Sequence, residues 1–199
     1  MIKAVLFDYG GVLSAGRHVT HDLAMAADLP LDQIDVADLH GQLCTDDIST
    51  KAFFEAFNRR HKTNITIEQF IIASEDIFEK APEVYNLAQK LEDKGIKTGI
   101  LSNIYKVIAD EIRKRGLYDG FGPIILSCSE GIMKPNKEIY QRAISELGYS
   151  PNEILFIDDQ EKCLPPARDL GMYVIKADSE AQIVADTKAL LKEQNGLEL

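Results

Sequence analysis

Three short apolar runs punctuate the chain at wide intervals, at residues 4–7, 98–101 and 154–157. Each is about as long as a strand, and each ends abruptly in residues that can do chemistry: Asp8, then Ser102-Asn103, then Asp158-Asp159. Two more runs, at 123–126 and 173–175, have similar lengths. Apolar stretches that do not alternate with polar residues suit strands buried on both faces, as in a parallel sheet. Between the runs the period changes to that of helices. Pro82 stands where a first-turn proline is tolerated, Val84, Leu87, Ala88 and Leu91 follow at helical spacing, and Gly95 supplies a stop. Residues 106–115 and 137–147 read as further helices ending at Gly116 and Gly148, and 181–192 as a last one.

Strands that alternate with helices predict an α/β fold, a Rossmann-like parallel sheet core flanked by helices. In such folds ligands sit at the carboxyl ends of the strands, where all three polar clusters fall. The stretch from about residue 13 to 80 breaks the rhythm. It is rich in helix formers, has no convincing strand, and carries Phe53, Phe54, Phe57, Phe70 and Phe78. Asp28-Leu29-Pro30 and His40-Gly41 read as breaks. Ser49 suits the N-cap of a helix over 51–60, and Thr66 with Gln69 marks a weaker start. We expect an inserted α-helical cap over 15–79, with the core in 1–14 and 80–199. The phenylalanines are expected to form the cap's own core, not a cofactor site.

Composition narrows the function classes. The chain has 199 residues, 45% of them hydrophobic and 27% charged, as expected of a folded globular protein. A net charge of −10 leaves no basic surplus for neutralising nucleic acid, yet permits a small phosphorylated substrate held by a few local donors. Cys44, Cys128 and Cys163 show no pairing or metal-type spacing, which favours reduced thiols and a cytoplasmic setting. The first apolar run is far shorter than the about 20 residues of a membrane span, so no membrane partner is expected. Oligomeric state leaves no trace in the sequence.

Each cluster has a chemical reading and a plain one. Asp8-Tyr9-Gly10-Gly11-Val12 puts a carboxylate at a strand exit, with glycines that let backbone approach a ligand; it is equally a tight turn. Asp158-Asp159 are adjacent carboxylates whose repulsion a hard divalent cation removes, but an acidic turn opening a helix looks the same. Ser102-Asn103 offers an anion site at a helix start, or simply a cap. Lys134-Pro135 is a surface lysine by default, though the proline restrains it.

Taken in order, these four clusters resemble the haloacid-dehalogenase superfamily: Asp8-Tyr9-Gly10-Gly11-Val12, Ser102-Asn103, Lys134-Pro135 and Asp158-Asp159 match its four motifs, and Pro166 to Met172 is similar to the family's segment after the fourth motif. The insertion after the first motif resembles the helical cap of one large subgroup. The Asp-x-Gly-Gly variant is similar to sugar-1-phosphate phosphatases and to the phosphatase domain of soluble epoxide hydrolases. The resemblance implies that Asp8 is the nucleophile and carries an aspartyl-phosphate. It implies Mg2+ held by Asp8, the Gly10 carbonyl and Asp159, with Asp158 in support. Ser102, Asn103 and Lys134 would bind the phosphoryl group, Lys134 also offsetting the charge of Asp8.

One departure stands out. The family's acid/base aspartate is replaced by Gly10, and its usual asparagine after the Asp-Asp pair is missing, with Cys163 near that place. His18 and His21 are the candidate substitutes for the acid. The function this implies is a Mg2+-dependent phosphatase for a small phosphorylated metabolite, with a sugar phosphate as one candidate. The alternatives are a C–halogen hydrolase, which needs no leaving-group proton, and a catalytically quiet binding protein.

Overall fold

The computed structural model describes residues 1–15 and 19–199. Five strands, β1 (Ala4–Phe7), β2 (Lys97–Ser102), β3 (Ile124–Leu126), β4 (Ile154–Asp158) and β5 (Tyr173–Lys176), form one sheet in the order β3-β2-β1-β4-β5, every neighbouring pair parallel. All five expected strands are present, with ends shifted by one residue. The shift at β4 makes Asp158 the last residue of the strand itself.

Among the described residues, four α-helices fall between β1 and residue 80: α1 (Val19–Ala27), α2 (Ala37–Cys44), α3 (Thr50–His61) and α4 (Ile67–Ala73). Around the sheet pack α5 (Pro82–Asp93), α6 (Lys106–Lys114), the single turn α7 (Ser127–Glu130), α8 (Lys137–Leu147), α9 (Leu164–Asp169) and α10 (Glu180–Asn195). Strand alternation divides the core. Val5, Phe7, Leu155 and Ile157 face α5, α6 and α10, whereas Ala4, Leu6, Ile154 and Phe156 face α8 and α9. Both faces are sealed, which is why these strands read as unbroken apolar runs.

The local start signals hold. Ser49 accepts from Ala52 N at 3.2 Å, and Thr66 and Gln69 form a reciprocal capping box. His40-Gly41 is a correction: these residues lie inside α2, not at a break. A glycine within a helix costs about 1 kcal/mol relative to alanine. Burying Leu39 and Leu43 on the same helix returns roughly 1.5–3 kcal/mol each, so packing overrides propensity. The five phenylalanines are all buried, yet they do not form a closed core of their own. Phe53 and Phe70 pack against Tyr105, which follows β2, at ring distances of 6.4 and 6.5 Å.

Candidate active site

The register sets Phe7 level with Ile100 on one side and Ile157 on the other, so Asp8, Ser102 and Asp158 emerge at the carboxyl ends of three adjacent strands. Chain order reverses at β1, the point where such sheets open a crevice. Asp8 is nearly sealed from solvent. Its main-chain N–H donates to the Ile157 carbonyl at 2.8 Å, and its Oδ1 accepts from Tyr9 N at 2.7 Å. Ser102 lines the same cavity as this carboxylate, at the end of the neighbouring strand. Burial pushes the Asp8 carboxyl up to about 7; Lys134 opposes this and Asp158 adds to it.

Lys134 is a buried cation, not a surface one, at 1% exposure. Its ammonium donates to Leu101 O at 2.8 Å and Asp158 Oδ2 at 2.6 Å, and stands 3.1 Å from Asp8 Oδ1. Those three partners match its three protons. Two carboxylates and the strand-end carbonyl together hold Lys134 firmly protonated against the cost of burial. Both Asp158 oxygens are engaged, because the other accepts from Gln160 N at 2.7 Å. Its role here is to anchor Lys134 and the turn after β4.

The Asn103 side chain is tied to Lys134. Its amide donates to Lys134 O and accepts from Lys134 N, both at 2.8 Å. A side-chain amide can satisfy both main-chain groups of one residue in this way. Asn103 therefore fixes the lysine's backbone, and only its own main chain remains to face the cavity.

Asp159 has a different character from its neighbour. Its Oδ1 is buried with no hydrogen-bond partner, which is costly for a carboxylate unless something else meets it. Oxygen atoms from Asp8, Asp158 and Asp159 lie within 4.8 Å of one another. With both Asp158 oxygens engaged, Asp8 and Asp159 are the carboxylates with capacity left. An all-oxygen donor set with an orphaned buried oxygen fits a hard divalent cation. Gly11 supports the same place. Its φ is +74°, and a Cβ there would lie 2.8 Å from the Asp159 Cγ and Oδ2. The turn presses bare backbone against Asp159, and the Tyr9 carbonyl, accepting from Leu13 N at 2.9 Å and Ser14 N at 3.0 Å, ties it down.

A cavity of about 290 Å3 opens over this cluster, lined by Asp8, Gly10, Ser102, Asn103 and Asp159 from the sheet side. Its opposite wall comes from the helices between β1 and β2, with Asp22, His40, Cys44 and Phe70, while Tyr105 closes it from the loop after β2. His40 Nδ1 meets the Tyr105 hydroxyl at 2.5 Å, and its Nε2 lies 3.8 Å from Cys44 Sγ. Burial pushes the Cys44 thiol up to about 12 and raises the Tyr105 hydroxyl well above its ordinary value.

Of the two histidines considered as substitutes for the missing acid, only His21 falls among the described residues, and it does not line this cavity. His21 is exposed on α1 beside a separate groove with Met25 and Leu31. His18 lies outside the described residues. Cys163 is fully buried behind the sheet, its carbonyl accepting from Tyr140 Oη at 2.7 Å. Asp22, His40 and Tyr105 carry no motif in the sequence. The position of Tyr105, three residues past Ser102 at the strand end, was the one signal that pointed to it.

The chain belongs to the haloacid dehalogenase-like hydrolases, whose family model matches residues 2–171. Acyl-CoA dehydrogenase family member 10 of Mus musculus is 29% identical over 95% of this chain, which spans only 19% of that protein's length. YhcW of Bacillus subtilis, which carries a phosphatase name, is 29% identical over 88% of the chain and 83% of its own. The HAD family enzyme bt-2542 of Bacteroides thetaiotaomicron, solved with magnesium and inorganic phosphate, shares the fold at a TM-score of 0.76. It is 21% identical over 90% of this chain and 96% of its own. No helix among the described residues is long and apolar enough to cross a membrane.

Proposed function

We propose that this hydrolase is a Mg2+-dependent phosphatase acting on a small phosphorylated metabolite, with Asp8 as its nucleophile. The observation that carries the reading is the buried Asp8 carboxylate beside Lys134, with the orphaned oxygen of Asp159 close by. One neighbour of the same fold, bt-2542, was solved with magnesium and inorganic phosphate, which supports the same ligands here. Asp8, the Gly10 carbonyl and Asp159 would hold the cation, which when bound supplies charge neutralisation for the phosphoryl oxygens and keeps Asp8 ionised. Ser102 and the Asn103 main chain bind and orient the phosphoryl group, so that an Asp8 oxygen lies in line with phosphorus, while Lys134 offsets the charge from beneath Asp8. Residues 15–79 act as the cap that closes over the substrate, and the cavity of about 290 Å3 suits a leaving group of metabolite size.

The C–halogen alternative leaves the orphaned Asp159 oxygen without a purpose, so we set it second. The test is hydrolysis of p-nitrophenyl phosphate, a leaving group that needs no proton. Phosphate release with Mg2+ that disappears in EDTA is expected. Undiminished release in excess EDTA would refute the cation's part, and no release under any condition would refute the phosphatase.

A further inference from the structure

Cleavage of an ordinary alkyl ester needs a proton for the leaving oxygen, and Lys134, the buried cation beside Asp8, has none to lend. All three Lys134 protons face Leu101 O, Asp158 and Asp8, and both Asp158 oxygens are occupied. Gly10 has no side chain. The helical wall does offer ionisable groups, but Cys44 and Tyr105 hold their protons too tightly to release them readily near neutrality. An imidazole exchanges its proton in the useful range, and His40 borders the same cavity as Asp8. Its ring is anchored, with Nδ1 at 2.5 Å from the Tyr105 hydroxyl. With Nδ1–H donating to Tyr105, the proton that comes and goes is the one on Nε2, which rests 3.8 Å from Cys44 Sγ and exchanges that weak contact for the leaving oxygen.

We propose, building on the phosphatase reading, that His40 is the general acid and base that Gly10 cannot be, with Tyr105 as its positioning residue. In the first half of the reaction an Asp8 oxygen bonds to phosphorus while the bond from phosphorus to the leaving oxygen breaks. That oxygen takes the Nε2 proton of the imidazolium and departs as an alcohol. In the second half water attacks the phosphorus of the aspartyl-phosphate and gives its proton to Nε2. The bond to Asp8 breaks, phosphate leaves, and both residues return to their starting states.

The test compares wild type and His40→Gln on p-nitrophenyl phosphate and on n-propyl phosphate, both with saturating Mg2+. Wild type is expected to cleave both esters. His40→Gln should lower the ratio of alkyl to aryl turnover by about 10² to 10⁴, the usual worth of a positioned acid. Tyr105→Phe should lower the same ratio by less. A general structural defect slows both esters alike, so equal losses, or none, would overturn the role of His40 and turn attention to Asp22. Wild type that cleaves the aryl ester but not the alkyl one would also overturn it, without any variant having to fold. Wild type that cleaves neither refutes the underlying phosphatase reading instead. His40→Asn serves as the second variant should His40→Gln be unstable.

Discussion

The two walls of the cavity are made differently. On the sheet side, Asp8, Lys134 and Asp158 are almost wholly buried and bind one another across three strands and a loop. Each charge there is tolerable only because the others are present, so the arrangement has little freedom to vary. On the helical side, His40 is half-buried, and its Nδ1 partner, Tyr105, belongs to the sheet's own loop. That wall mixes Phe70 with Asp22 and Cys44 and contains no comparable ring of mutually dependent charges among the described residues. Under the function proposed above, the sheet side would carry the nucleophile in a fixed setting, and the helical side, without such interlocked charges, would tolerate change at smaller cost to the fold.

The sharpest way to break this division is Asp8→Asn. The amide is a poor nucleophile, so turnover should fall by on the order of 10⁴-fold or more while the protein still folds, Asp158 remaining to pair Lys134. Activity close to wild type would end the covalent reading. Next comes Lys134→Met, which strands two buried carboxylates. A loss of about 3–5 kcal/mol in chemical denaturation is expected, against well under 1 kcal/mol for a substitution at the exposed His21. Similar costs at both places would show that the sheet-side cluster is not mutually dependent.

The smallest effect separates two adjacent glycines. Gly11→Ala forces a Cβ into Asp159 at a positive φ and should cost about 1–3 kcal/mol, with a weaker thermal shift on adding Mg2+. Gly10→Ala meets nothing within 4 Å and its φ lies outside the left-handed region, so stability should change by less than about 1 kcal/mol in either direction. The open space also makes Gly10→Asp a usable variant. It should raise alkyl-ester turnover most strongly when His40 is absent, and a gain of the same size in both backgrounds would argue against His40 as the proton source.

Some of this architecture is legible in the chain alone. Asp8, Ser102, Asp158 and Asp159 stand directly at the ends of apolar runs, and a strand in a buried parallel sheet declares itself locally. Lys134 is marked by its proline, but its burial is not, since nothing local distinguishes a lysine that will lie under a carboxylate pair. The bonds that give Asn103 its task join residues 31 apart, and that between His40 and Tyr105 joins residues 65 apart. Glycine at 41 hides α2 because helix propensity is a weak preference that burial of Leu39 and Leu43 overrides.

By itself, then, the chain's pattern determined the strands, most of the helices around them and the residues placed at the strand ends. These depend on periodicity and on which short runs can be buried on two faces. Tertiary structure alone decided which carboxylate has both oxygens engaged and which is left with an orphaned oxygen, that Asn103 serves Lys134, and that His40 borders the cavity over Asp8 while His21 lies beside a separate groove. Such outcomes turn on hydrogen-bond partners brought together from distant parts of the chain. In a closely packed interior, a partner's presence or absence is set by the assembled neighbours and not by the residues on either side.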